Sequence, residues 1–308
     1  MRFDLVDLRL FVRVAETANI THAAAKAGLA LASASERIRD METEAGIALL
    51  LRGRRGVTLT PAGRALAHHA RLVLQQMDHL TGELSKYAGG LRGLVRLAAN
   101  TSACSEFLPE TLNGFLRDNP GIDVDVEERA SHDIVRLVAE GFADMGIVAD
   151  IVDFAGLLAF PFARDRLVLV VPRAHKLAER RDLYFRDLLR HDFIGMTAGN
   201  ALQQHLAQHA SQAGRPLQLR IRLSSFDAIC RMVETGVGIA VIPETAARRC
   251  GRSMAIRICG LADAWALRHL HLCMRPAPEL SAPAQRLAEH LIAHGKEALA
   301  GRLGKRRR

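Results

Sequence analysis

The chain has 308 residues, of which 49% are hydrophobic and 24% charged, with a formal net charge of +9 and a pI of about 9.9. This length exceeds one small domain, so we expect two or three domains with sizeable cores. The excess of basic residues favours an anionic partner, and nucleic acid is the first candidate. The opening segment MRFDLVDLRLF contains acidic residues, and no apolar run of ~18 residues occurs, so neither a signal peptide nor a membrane-spanning helix is predicted.

Cysteine usage indicates the compartment. The cysteines are Cys104, Cys230, Cys250, Cys259 and Cys273; their number is odd, and none forms a CxxC pair. This usage is typical of a reducing cytoplasm in which thiols serve mostly as small core residues. We therefore predict a cytoplasmic protein.

Short helices rich in small residues are predicted over the first 61 positions. The spacing of apolar residues in LVDLRLFVRVA predicts a first amphipathic helix. Asn19 and Thr21 are capping types ahead of the second helix, HAAAKA, and Gly28 suits the turn after it. A third helix follows, and Ser33 and Glu36 have the spacing of a capping box at its start.

A basic turn next to these helices predicts a winged helix-turn-helix. The segment LLLRGRRGVTLTPAGR reads as strand, basic turn, strand and helix start. The second of two closely crossing helices would enter the major groove, and the basic turn would contact the DNA backbone or minor groove. The alternative is an ordinary three-helix bundle with solvated charges. The residues predicted to contact DNA are Thr21, Ser33, Ser35, Arg37, Arg39, Arg52, Arg54 and Arg55.

A single long helix is predicted from about Pro61 to Tyr87. Apolar residues recur along it with heptad spacing, which is typical of a helix that pairs with another helix. The alternative is packing against its own domain. Glycines at 89, 90 and 93 mark the boundary that follows. The residues predicted to form the dimer seam are Leu66, Val73, Met77, Leu80 and Leu84.

The remaining chain alternates strand and helix patterns, which predicts an α/β region with mainly parallel sheets. The predicted strands are VRLAAN, IDVDVEER, DMGIVAD, RLVLVVP, FIGM, LRIRLSS, GIAVIPE, AIRICG and HLHLCMR. The end, GKRRR, is a basic run that we expect to be a disordered tail.

Over essentially its full length the chain resembles the LysR-type transcriptional regulators. The resemblance is carried by LRLFVRVAETANITHAAAKAGLALASASERIRDMETEAGIALLLRGRRGVTLTPAGR, followed by the linker helix and the α/β region in the expected order. It implies a winged helix-turn-helix over 1–61, a dimerising linker helix over 62–90, an effector domain over 91–300 and a basic tail over 301–308. The effector domain is expected to resemble periplasmic binding proteins, with lobe I at about 91–162 and 267–300 and lobe II at about 163–266.

The same resemblance implies partners and departures. The expected partners are promoter DNA, a small-molecule effector and further copies of the chain in a homodimer or homotetramer; RNA polymerase is a further candidate. Family members often carry Ser-Gln-Pro where this chain has Ala30, Leu31 and Ala32, and a basic residue where it has Glu36. Base contacts at positions 30–32 are therefore not carried over, and a different operator preference, or greater use of phosphate contacts and DNA shape, is expected.

Polar turns between strands and helices predict the effector site. Hydroxyls and amides at such turns lie beside free backbone N–H groups and suit an anion, although helix capping alone also explains them. By resemblance, further residues line the same cleft, and for Val148 and Phe226 a place in the core is the equal alternative. The predicted effector residues are Asn100, Thr101, Ser102, Ser131, Val148, Thr197, Asn200, Ser225 and Phe226.

Other functions receive less support from the sequence. A redox sensor based on Cys104 would need a resolving partner and a lowered pKa, and no charged pair surrounds that cysteine in the sequence. A solute-binding protein would match the α/β half only. The chain has no GxSxG, HExxH, P-loop or dinucleotide-binding glycine motif, and its histidines are scattered, so we predict no enzyme, no cofactor and no metal site.

Overall fold

The structure, a computed structural model, describes residues 3–53, 56–87, 91–149, 153–180 and 183–304. The chain divides into two compact units: Met1–Gly93 with Glu140–Phe142, and Leu94–Ala139 with Ala143–Arg308. The N-terminal unit contains the helices α1 (Leu5–Thr17), α2 (Ile20–Lys26), α3 (Leu31–Ala45) and α4 (Pro61–Tyr87) and the strands β1 (Leu50–Gly53) and β2 (Gly56–Leu59).

Local signals in the sequence explain the start and end of the first helices. Asp4 caps α1 in a capping box with Asp7, and Asn19 caps α2 by accepting from the N–H of His22. Gly28 takes a positive φ of 68° in the turn before α3, a conformation that favours glycine. The capping box predicted at Ser33 and Glu36 is wrong, because α3 begins at Leu31 and its cap, Ala30, has no side-chain hydrogen bond.

Small residues let the first three helices pack closely on one core. Ala23, Ala24 and Ala34 are fully buried together with Phe11 and Ile38. Strands β1 and β2 form an antiparallel pair beside this core, so the predicted winged helix-turn-helix is confirmed. The predicted long helix is also confirmed as α4, which spans Pro61–Tyr87.

The second unit is built around one long strand. The strands are β3 (Gly93–Ala99), β4 (Ile122–Glu128), β5 (Met145–Ala149), β6 (Leu158–Pro172), β7 (Phe193–Met196), β8 (Leu219–Leu223), β9 (Ala240–Pro243), β10 (Ile256–Gly260) and β11 (Leu267–Met274). Up to Arg166, β6 pairs with β11; from Leu167 onward it pairs with β9 and β10. The strand thus runs through both lobes of the unit.

Helices cover both lobes. A π-helical turn, Ala103–Phe107, leads into α5 (Leu108–Asp118); the others are α6 (Ser131–Ala139), α7 (Phe185–Leu188), α8 (Ala201–Gln212), α9 (Phe226–Glu234), α10 (Glu244–Cys250) and α11 (Ala282–Gly304). Lobe I contains β3, β4, β5, β11 and the first part of β6. Lobe II contains the second part of β6 with β7 to β10 and the large core around Phe185 and Phe193.

Two details differ from the sequence-based expectations. The predicted mainly parallel pairing holds for β3 with β5 and for β7 with β8, whereas β6 and β11 make antiparallel pairs with their neighbours. Helix α11 continues through Gly304, so the first residues of the predicted tail are helical; 305–308 lie outside the described residues. Within the described residues no helix is long and apolar enough to cross a membrane.

Candidate functional site

A cavity of about 530 Å³ lies between the two lobes of the second unit. One wall is formed by the end of β3 and the start of α6, and the facing wall by α8. Its lining residues are Asn100, Thr101, Ser102, Ala130, Ser131, His132, Ala149, Ala201, Leu202, Gln204, His205, Gln208, His209, Trp265 and Arg268.

The turn after β3 contributes three buried polar side chains to this cavity. Asn100 Oδ1 accepts from the N–H of Ala103 at 3.0 Å and so caps the helical segment that follows. Thr101 Oγ1 donates to Glu128 at 2.8 Å, and Ser102 Oγ accepts from Arg268 at 2.6 Å. Each of the three side chains therefore makes at least one hydrogen bond, and these bonds hold the turn in place.

Hydrogen bonds join the lobes beside the cavity. Glu128, at the end of β4 in lobe I, accepts from Asn200 Nδ2 at 2.7 Å, and Asn200 caps α8 in lobe II. Thr101 Oγ1 also accepts from the N–H of Leu202 at 3.3 Å. These contacts connect the polar turn of one lobe to the first turn of the facing helix.

Arg268 is the buried cation of the cavity wall. It lies on β11 and pairs with Asp165 on β6, and both side chains are almost fully buried. One of its terminal nitrogens donates to Ser102 and Asp165, whereas its Nε has no hydrogen-bond partner among the residues that the structure describes. The ion pair offsets the cost of burying the guanidinium but leaves one donor unused.

Aromatic side chains form the wall opposite the polar turn. The indole of Trp265 stacks on the ring of His209, with 4.1 Å between centroids, and meets His205 edge-on at 5.4 Å. Burial, the positive charge of Arg268 and His209 together lower the pKa of His205 to about 3. His205 is therefore neutral near pH 7.

The predicted effector residues fall into two groups. Asn100, Thr101, Ser102 and Ser131 line the cavity, and Asn200 lies next to it through its bond to Glu128. The other side chains do not line the cavity: Val148 and Phe226 lie in the cores of their lobes, Thr197 is exposed after β7, and Ser225 caps α9.

Sequence reasoning missed His205, His209, Trp265 and Arg268. A signal for the histidines was present, because positions four apart on α8 share one helix face. No comparable signal marked Arg268 or Trp265, which reach the cavity only through the packing of β11 and the turn before it. Among the described residues, no group of three or more His, Cys, Asp or Glu side chains is placed to hold a metal ion.

The cysteines are poorly suited to redox chemistry. Cys104 lies in the π-helical turn, where burial and then the nearby charge of Glu128 raise the pKa of its thiol to about 12. Cys230, Cys250, Cys259 and Cys273 are buried, and burial raises the pKa of each. Thiols with raised pKa values are weak nucleophiles at neutral pH.

The residues predicted to contact DNA lie in different environments. Thr21, Arg39 and Arg52 are exposed, and Ser33 and Ser35 are half-buried on α3. Arg37 forms ion pairs with Asp7 of α1 at 2.6 Å and with Asp4, the cap of α1, at 3.2 Å. Arg54 and Arg55 lie outside the described residues.

Helix α4 carries an exposed apolar strip. Val73, Leu80 and Leu84 are about half exposed, at 44%, 48% and 59%, and Met77 is half-buried. Leu66 instead packs against the core of the N-terminal unit. Ala70 and Leu74 pack with Leu8 and Val12 of α1, so the strip begins where the helix still packs against α1.

Sequence comparison places these features in a known family. The lysR-family bacterial regulatory helix-turn-helix domain matches residues 5–64, and the LysR substrate binding domain matches residues 88–296. The chain belongs to the LysR family of transcriptional regulators. It is thus a DNA-binding regulator with an effector-binding domain.

Individual relatives agree with this assignment. A probable hydrogen peroxide-inducible genes activator of Mycobacterium avium is 28% identical over 243 residues, covering 79% of this chain and 78% of the relative. Full-length CbnR complexed with its target DNA shares the fold with a TM-score of 0.60 at 19% identity, covering 95% of this chain and 100% of that one. The regulatory domain of Synechocystis PCC6803 CcmR in complex with 2-PG has a TM-score of 0.56 at 24% identity, covering 67% and 98%.

Proposed function

We propose that the cavity between the lobes binds a small-molecule effector and that this binding changes the affinity of the protein for operator DNA. The observation that carries the proposal is the cavity itself, whose lining comes from both lobes. A ligand that touches both lobes stabilises one arrangement of them by its differential affinity for the two states. Coupling of this kind typically changes the affinity of a second site about 5- to 150-fold.

Two of the related structures support the separate halves of this proposal. CbnR was solved with target DNA, and the regulatory domain of CcmR was solved with 2-PG. We propose that this chain likewise acts on DNA in the cytoplasm as a regulator and catalyses no reaction.

For DNA contact we propose the exposed face of α3 and the wing. Arg39 and Arg52 are exposed cations, and Thr21, Ser33 and Ser35 offer hydroxyls on the same unit. In the free protein, Arg37 forms ion pairs with Asp4 and Asp7 and so links α3 to α1. Arginines at phosphates position the protein, and short hydroxyls allow a close approach to base edges.

For assembly we propose pairing through α4. A monomer leaves Val73, Leu80 and Leu84 half exposed, and a second copy of the same helix would cover them. Dimers of the chain, or pairs of dimers, would then present more than one α3 helix to the operator.

A thiol-based redox sensor is the second candidate, favoured by the similarity to the probable hydrogen peroxide-inducible genes activator of Mycobacterium avium. The raised pKa of Cys104 and the burial of the other thiols argue against it. The effector-binding function therefore agrees better with the described residues.

The test uses the full chain and operator fragments selected from genomic DNA by the purified protein. Operator affinity is measured by fluorescence anisotropy with and without each member of a metabolite library. Ala201→Phe fills the cavity from the first turn of α8, and Ala207→Phe places the same ring on the exposed face of that helix. We expect a compound that shifts operator affinity in wild type and in Ala207→Phe but not in Ala201→Phe. An equal shift in Ala201→Phe would remove the cavity from the mechanism.

A further inference from the structure

Helix α3, the second helix of the helix-turn-helix, begins with an exposed leucine. Leu31 is its first residue and is 47% exposed, whereas Leu29, two positions earlier, packs against the core of the N-terminal unit. Ala32, next to Leu31, is exposed as well. A single exposed leucine is common on protein surfaces, so its meaning depends on its neighbours and on the partner that the helix meets.

One face of the first two turns of α3 is apolar and acidic. Leu31, Ala32, Ser35 and Glu36 have the spacing i, i+1, i+4 and i+5, which places them side by side on one side of the helix. Leu31, Ala32 and Glu36 are exposed, and Ser35 is half-buried. These four residues, the N-terminal face of α3, include no Arg, Lys, Asn or Gln.

The arginines of α3 lie away from Leu31. Arg37 pairs with Asp7 and Asp4, which orients its guanidinium toward α1. Arg39 lies about 12 Å further along the helix axis than Leu31, and its Nε donates to the backbone carbonyl of Ser35 at 3.4 Å. The start of the helix therefore presents methyl groups, one hydroxyl and one carboxylate to a partner.

The bases differ in what they offer to such a face. In helix-turn-helix proteins the N-terminal residues of the second helix contact base edges in the major groove. Guanine presents only acceptors there, and neither a leucine nor a carboxylate can donate a hydrogen bond to them. Thymine presents its C5-methyl group, which is the partner of apolar side chains in the groove.

We infer that Leu31 is a specificity-determining residue of operator binding and that it recognises thymine by contact with the C5-methyl group. The inference rests on the proposed contact of α3 with DNA and names the base that this helix selects. Glu36, on the same face, adds discrimination against guanine, because its carboxylate would meet acceptor atoms. A dimer would place one such thymine in each half-site of the operator.

Replacement of thymine by deoxyuridine isolates the methyl group, because it removes the C5-methyl and keeps the base pair. Operators are selected by the full-length protein from a random DNA library, and each thymine of the selected sequence is then replaced in turn. At one thymine per half-site we expect operator affinity, measured by fluorescence anisotropy, to fall about fourfold, the effect of one buried methyl group. Unchanged affinity at every replaced thymine would overturn the inference.

Variants at position 31 assign the effect to this side chain. Leu31→Ala should bind the thymine and deoxyuridine operators with equal affinity, and Leu31→Gln should select adenine at the same position, since an amide pairs with the N6 and N7 atoms of adenine. Ile47→Ala is the matched control: Ile47 is 52% exposed and lies beyond the other end of α3, roughly 20 Å from Leu31, so the deoxyuridine effect should remain. If Leu31→Ala keeps the deoxyuridine effect, another side chain contacts the methyl group and the inference is wrong.

A charged variant separates this inference from the proposed contact of α3 with DNA. Leu31→Asp places a carboxylate at the exposed start of the helix, and repulsion by the phosphates should lower operator affinity at least about tenfold whichever base is recognised. Weak binding by Leu31→Asp without any deoxyuridine effect in the wild-type chain would keep the DNA contact and overturn only the recognition of thymine. Unchanged binding by Leu31→Asp would overturn both. Thermal unfolding of each variant, monitored by circular dichroism, verifies that the fold is retained.

Discussion

Asn200 donates a hydrogen bond from Nδ2 to Oε1 of Glu128 over 2.7 Å, and this bond links lobe II to lobe I beside the cavity. The same carboxylate oxygen accepts from Thr101, which lines the cavity. Glu128 thus connects the polar turn of one lobe to the cap of the facing helix. Any ligand that shifts Thr101 or α8 acts on this connection.

Removal of the Glu128 carboxylate should loosen the lobes. Glu128→Ala deletes the acceptor of two hydrogen bonds, and we expect the free energy of unfolding of the second unit to fall by about 1 to 2 kcal/mol. Glu127→Ala, next to it on β4, removes only an exposed pair with Arg129 and should cost less than ~0.5 kcal/mol. Urea unfolding of both variants measures the difference, and equal values would show that Glu128 does not join the lobes.

Arg52 should contribute a phosphate contact. Arg52→Ala is expected to weaken binding to many DNA sequences and to reduce the slope of log K against log salt by about 0.9. Arg220→Ala removes an exposed arginine of the effector unit and is the control. An unchanged slope in Arg52→Ala would exclude this side chain from the DNA interface.

The apolar strip of α4 should be a dimer seam. Val73→Asp combined with Leu80→Asp places two charges on it, so sedimentation should report monomers that no longer bind the operator while the second unit stays folded. His68→Asp adds a charge to an exposed position off the strip as a control. A double variant that remains dimeric would move the main interface elsewhere.

Cys104 should be unreactive in the folded protein. Its pKa is raised to about 12 from 9.0, so the thiol stays protonated through neutral and mildly alkaline pH and loses its proton only near the raised value. Alkylation by iodoacetamide, followed by mass spectrometry, should be slow in the native chain and faster in urea, where burial is lost. Rapid native alkylation, or operator binding that responds to peroxide and is lost in Cys104→Ser, would favour the redox alternative.

The sequence was most informative where local patterns decide structure. The period of apolar residues predicted α1 and α4, and the β-branched runs predicted the strands of the second unit, because both patterns reflect which face an element buries. The capping box at Ser33 was wrong, because that motif is short and the observed cap of the helix is Ala30, three residues earlier, which has no capping side chain. Strand direction in β6 and β11 depends on tertiary packing and could not be read from either segment alone.

The candidate site was predictable only in part for the same reason. Asn100, Thr101 and Ser102 follow a strand directly, so their place at the edge of the sheet follows from local order. Arg268 is the second residue of β11, and its partner Asp165 is 103 positions away in the sequence. Such long-range pairings leave no periodic signal. The positions of Val148 and Phe226 in the cores could not be predicted either, because an apolar residue near a turn fits a core or a cleft equally well.

We propose that the cavity and the DNA-binding surface are energetically coupled. Linkage requires the coupling to be reciprocal: a ligand that changes operator affinity by some factor must have its own affinity changed by that factor when operator is bound. The direct measurement is the dissociation constant of the effector, followed by Trp265 fluorescence, in the absence and presence of saturating operator DNA. We expect a change equal to the factor by which the effector alters operator binding. The same dissociation constant with and without operator would contradict it.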